Sequence, residues 1–77
     1  MIKWSKRAVK SLKSLPHNLQ KRVIDAVEKL PEGDVKPLHG KLKGLYRLRI
    51  GNWRVIFEFT DNGFLVHDVL HRQNVYK

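Results

Sequence analysis

Three arginines, Arg47, Arg49 and Arg54, stand in the stretch YRLRIGNWRVIF, and the chain closes on VLHRQNVYK with His71, Arg72 and Tyr76. Guanidinium groups match phosphate oxygens two at a time and stay charged at every physiological pH. Several of them around one phosphodiester would hold it and stabilise the negative charge that builds as phosphorus becomes pentacoordinate. RNA needs little more to be cut, because its own 2′-hydroxyl attacks the adjacent phosphorus. A protein then supplies a proton acceptor, a donor for the leaving oxygen and cations. Histidine is the side-chain type that titrates near neutral pH, which makes His71 one candidate for proton transfer. Tyr76 is the other, since neighbouring guanidiniums favour a phenolate.

The elements that would gather these residues follow from alternation. Tyr46, Leu48 and Ile50 alternate with Arg47 and Arg49, and Gly51-Asn52 suits a two-residue hairpin turn. That turn pairs Ile50 with Trp53, Arg49 with Arg54, Leu48 with Val55, Arg47 with Ile56 and Tyr46 with Phe57. All three arginines then share one sheet face, and every apolar partner except Ile56 falls on the other. Opposed like charges weaken a strand pair, so Arg49 facing Arg54 implies an anion that rewards the arrangement. Asp61-Asn62-Gly63 makes a second hairpin with two registers open. A turn at Asn62-Gly63 sets His71 opposite Arg54, whereas a three-residue loop with Gly63 left-handed sets Leu70 there. Both bring the tail back beside the arginines.

Upstream, Ile2-Lys3-Trp4 reads as an opening strand and Ser5 as a helix cap. Ala8, Val9, Leu12 and Leu15 recur at helical spacing. Pro16 stops that helix or starts the next, and Leu19, Val23, Ala26, Val27 and Leu30 make a second apolar stripe. Residues 31–44, with two prolines and three glycines, read as a connecting loop. The expectation is an α+β domain of order βααβββ, an antiparallel sheet with an N-terminal helical hairpin on one face.

Composition sets the partners. The 77 residues suit a single domain spanning 1–77. Sixteen Lys and Arg against seven Asp and Glu give a net charge of +9, more than solubility requires, which favours a polyanion or an acidic partner. Without cysteine there is neither a disulfide framework nor a thiolate metal site. His17, His39, His67 and His71 lack ligand-like spacing, so no metal or other cofactor is expected. The apolar runs are too short to span a membrane and the basic N-terminus lacks the features of a signal peptide, so a cytoplasmic location is expected.

The segment LHGKLKGLYRLRIGNWRVIFEF, followed after a hairpin by VLHRQNVYK, resembles the RelE toxins of the RelE/ParE superfamily of toxin–antitoxin systems. The resemblance covers essentially the whole chain. It implies a ribosome-dependent mRNA interferase, cutting the codon in the ribosomal A site without metal, and an acidic antitoxin that masks it. Matched by position, Arg54 falls on the arginine that contacts the scissile phosphate, Arg72 on the tail arginine of the catalytic set and Tyr76 on the tail tyrosine taken as the proton-transfer group. His71 falls where shorter members often have histidine. Arg47 and Arg49, with Lys41 and Lys43 in the preceding loop, fall on basic residues that would bind RNA. The Arg72-to-Tyr76 spacing is shorter than in the best-known members, which leaves proton transfer open between Tyr76 and His71. ParE toxins, which poison DNA gyrase, share the architecture, and a non-catalytic nucleic-acid-binding module is the third reading.

Overall fold

The computed structural model describes residues 1–74, with the side chain of Asn74 left aside. Ser5 shows how the chain enters its first helix. Its hydroxyl accepts from the Ala8 amide at 3.0 Å and donates to the His67 carbonyl at 2.8 Å, so one residue caps the helix and ties it to a strand more than sixty residues away. The helix that follows, α1 (Lys6–Lys13), is short, with Lys10 and Lys13 in the last turn, where the dipole favours cations. Pro16, with φ −55°, is the N-cap residue of α2 (His17–Glu28), so the proline starts the second helix.

Five strands form one sheet: β1 (Ile2–Trp4), β2 (Asp34–Pro37), β3 (Tyr46–Ile50), β4 (Trp53–Thr60) and β5 (Gly63–His71), in the order β1-β5-β4-β3-β2. Two features differ from expectation. Residues 34–37 pair antiparallel with β3, Asp34 against Arg49 through Pro37 against Tyr46, so part of the supposed loop is an edge strand. A proline is tolerated there because it ends the strand at the edge of the sheet. The opening strand runs parallel to β5, Ile2 against Phe64 and Trp4 against Val66, which makes the sheet mixed. The helical hairpin between β1 and the rest of the sheet is the kind of long crossover that parallel neighbours need.

The β3–β4 register is the one expected, pair for pair. Only Gly51 of the two turn residues takes positive φ, at 57°. In the second hairpin Leu70 lies opposite Arg54, one of the two expected outcomes, but it arrives there by another route. Thr60 pairs with Gly63 across Asp61-Asn62, and a bulge between Ile56 and Phe57 on β4 leaves His67 as the extra residue of β5.

The core lies between the helices and one sheet face: Ala8, Leu15, Val23, Val27 and Leu30 against Leu48, Ile50, Val55, Phe57, Val66 and Val69. Ile56 is equally buried but stands outside that cluster, since alternation puts it on the arginine face. Gly63 anchors β1: its neighbour Phe64 donates its amide to the Met1 carbonyl at 3.0 Å, and a Cβ on Gly63 would collide with that same oxygen. No helix among the described residues is long and apolar enough to cross a membrane.

Candidate active site

Alternation along β3 and β4 puts Arg47, Arg49 and Arg54 on the face that the helices leave uncovered, with Arg49 paired to Arg54 across the strands. Arg54 lies half-buried beside the turn, its Nη1 donating to the carbonyls of Gly51 at 3.1 Å and Trp53 at 3.0 Å. Burial, and then the charges of Arg49, Arg47 and Arg72, hold its guanidinium below the usual range, with Asp34 opposing. Arg49 and Arg47 act on it from the facing strand β3. The group stays protonated at physiological pH, so the site is a concentrated fixed charge.

Arg72 reaches this cluster through the backbone. Its amide donates to the Asn52 carbonyl at 2.7 Å, which fastens the start of a short 3₁₀ segment (Arg72–Asn74) to the β3–β4 turn. Arg49 and Arg72 are both exposed. Arg47 differs: its side chain is only 17% exposed, and Nη1 donates to the Asp34 carbonyl at 3.3 Å while lying 3.7 Å from a carboxylate oxygen of Asp34. The sequence reading missed this counter-ion because it took residues 31–44 for a loop. A cleft of about 480 Å³ opens beside the row between α2 and β2–β3, and Arg22, Lys29, Asp34 and Arg49 are among its lining.

Of the remaining expected residues, His71, Lys41 and Lys43 do not join the row. His71 pairs with Trp53, not Arg54, and so faces the helix side. Its ring stands edge-on to the indole with centroids 5.2 Å apart, and Nδ1 accepts from the Gln73 amide at 3.4 Å. Lys41, in the 3₁₀ turn Gly40–Leu42, and Lys43 are exposed in the loop preceding Tyr46. They therefore lie at the opposite end of β3 from the Gly51 turn. Tyr76 lies outside the described residues.

Two further groups lie on β4 and β5. Asp68, paired with Ile56 and buried, accepts from Ser11 Oγ at 2.7 Å and from the Val69 amide at 2.8 Å, with Arg7 Nε 3.8 Å away. It ties α1 to the strand that delivers Arg72. The second is a hydrogen-bonded pair of Glu58 and His67. Among the described residues no cluster of three or more His, Asp or Glu forms a metal site.

The family model described as the ParE toxin of the type II toxin–antitoxin system, parDE, matches residues 2–76. Toxin RelE3 of Methanocaldococcus jannaschii is 32% identical across 97% of this chain and 93% of its own length. The chain belongs to the RelE/ParE superfamily of type II toxins. Solved structures agree. The toxin matches the RelB–RelE antitoxin–toxin complex from Methanococcus jannaschii with a TM-score of 0.78 at 28% identity, over 96% of this chain and 94% of that one. The archaeal RelE–RelB complex from Pyrococcus horikoshii matches with a TM-score of 0.71 at 30% identity, over 96% of both chains. For the RelBE2 complex of Mycobacterium tuberculosis the TM-score is 0.81 over 94% of this chain and 96% of that one; at 23% identity this likeness is one of fold.

Proposed function

We propose that this toxin is an endoribonuclease that cuts mRNA on the ribosome, the guanidinium cluster of Arg49, Arg54, Arg72 and Arg47 holding the scissile phosphate. The observation that carries the reading is the register that sets Arg49 directly opposite Arg54 with Arg47 on the same face, since cations that face one another at a cost in the free protein are relieved by a bound anion. The 2′-hydroxyl attacks phosphorus, the bond to the 5′-oxygen breaks, and a 2′,3′-cyclic phosphate and a 5′-hydroxyl result. Charge grows on the non-bridging oxygens as phosphorus becomes pentacoordinate, and preorganised donors at that point are worth more in the transition state than in the ground state. Arginine stays charged and serves as a clamp, not as a base. One proton must leave the 2′-oxygen and one must reach the 5′-oxygen. We assign one of these transfers to Tyr76, which the resemblance places at the tail position. His71 is the poorer choice because its ring packs on Trp53 across the sheet from the row.

The solved relatives described as RelB–RelE complexes support an antitoxin partner for this chain as well. With a net charge of +9, the complementary partner is an acidic polypeptide that covers the arginine face. The ribosome, an RNA surface, suits the same charge.

The match to a ParE family model favours a second reading, a toxin directed at DNA gyrase. Programmed ribosomes incubated with the toxin and a chelator separate the two. Mapped 5′-hydroxyl ends inside the A-site codon, lost when the attacking nucleotide is a 2′-deoxynucleotide, support the nuclease. Intact mRNA together with trapped gyrase–DNA complexes refutes it.

A further inference from the structure

The bulge in β5 has a consequence on the arginine face. Ile56 pairs with Asp68 and Phe57 with Val66, so His67 is the residue left without a partner, and bulges re-aim side chains. Its imidazole reaches Glu58 on β4, Nε2 to Oε1 2.8 Å. Both side chains are little more than one-third exposed, at 35% and 38%. Glu58 stands two residues from Ile56 and four from Arg54, so alternation puts the pair on the same face as the arginine row, with buried Ile56 between them. Four strand residues span about 13 Å. An RNA chain that holds its scissile phosphate in the row and runs along β4 passes the pair within a few nucleotides of the cut.

A half-buried cross-strand hydrogen bond on a sheet surface contributes little to stability, and a carboxylate repels phosphate. On a face otherwise rich in cations, Glu58 is therefore suited to a different part of the RNA. With Oε1 held by His67 and the side chain 38% exposed, the Glu58 carboxylate is oriented on one side and keeps lone pairs to accept with. Among the bases, guanine offers two adjacent N–H donors on its Watson–Crick edge, N1–H and the exocyclic amine, in the spacing of a carboxylate.

We propose that Glu58, oriented by His67, reads a guanine flanking the cleaved bond, so that the sheet face holds the backbone at one end and selects a base at the other. The inference rests on the RNA-cleaving reading above.

The test is cleavage of an mRNA library, randomised over four positions on each side of the A-site cut, on programmed ribosomes by the unaltered toxin, Glu58→Gln and His67→Gln. The readout is the guanine-to-uracil ratio among cut molecules at each position, a quantity independent of total activity. The unaltered toxin should enrich guanine at one fixed position, Glu58→Gln should reduce that enrichment roughly tenfold, the worth of a lost paired contact to a base edge, and His67→Gln should reduce it by less. No guanine enrichment at any position, or the same enrichment in Glu58→Gln, overturns the assignment while leaving the nuclease intact. Absence of cutting by the unaltered toxin overturns the nuclease reading itself, and the base assignment with it.

Discussion

Replacing Arg49 with glutamine should make the protein more stable and its function worse. Arg49 is exposed and stands between Asp34, whose carboxylate is engaged by Arg47, and Arg54, whose guanidinium is depressed partly by Arg49's charge. Opposed like charges on neighbouring strands cost about 0.5 kcal/mol. For a domain of this size that corresponds to about 3 °C in Tm. Glutamine keeps most of the stem and removes the charge, so the variant should gain that amount in a thermal melt at about 10 mM salt, where the screening length is about 30 Å. The gain should fade as salt approaches about 1 M, where that length is about 3 Å. Salt is the informative variable and pH is not. A guanidinium whose folded pKa lies below its unfolded value disfavours the folded state at every pH below the folded pKa, and the penalty lifts only as alkaline solution removes the proton. Across neutral pH the cost is constant. A short RNA should reverse the order, stabilising the unaltered protein more than the variant. Equal or lower stability of Arg49→Gln at low salt, or a gain that persists undiminished in about 1 M salt, would refute the reasoning.

Three other outcomes are expected. Asp68→Ala strips a buried acceptor from Ser11 and the Val69 amide and should lower the unfolding free energy by about 2–3 kcal/mol, measured by urea titration. Gly63→Ala puts a Cβ against the Met1 backbone at a φ of 150°, so β1 should detach, with faster amide exchange at Phe64 and a lower Tm. In single-turnover cleavage Tyr76→Phe should be slowed by about 100-fold, within the range for lost general acid–base catalysis, and His71→Gln by less than about threefold; the reverse order would move proton transfer to His71.

The central hairpin was legible because two independent signals agreed: strict alternation from Tyr46 to Phe57 and a turn pair at Gly51-Asn52. With that register came the shared face of Arg47, Arg49 and Arg54, the most informative part of the candidate site. The backbone bond from Arg72 to Asn52 then brought the tail arginine to the expected end of the sheet. β2 was hidden because Asp34 and Pro37 disfavour strand and Gly33 precedes them, and only pairing with β3 makes them one. With β2 hidden, the counter-ion of Arg47 was hidden too. A bulge leaves no mark in composition, so neither the route to the Arg54–Leu70 pairing nor the turn of His67 towards Glu58 could be read from spacing. The phase of the tail followed from that same bulge, which is why His71 stands beside Trp53 and not in the row.

The guanidinium cluster is tested most directly by the rate at which ribosome-bound mRNA is cut in a single turnover by the unaltered toxin and by Arg54→Ala. Arg54 sits among the other three arginines, so its loss should slow cutting by about 100-fold or more, the usual effect of deleting one preorganised donor to a developing oxyanion. A rate within about threefold of the unaltered toxin, with thermal stability preserved, would contradict the account.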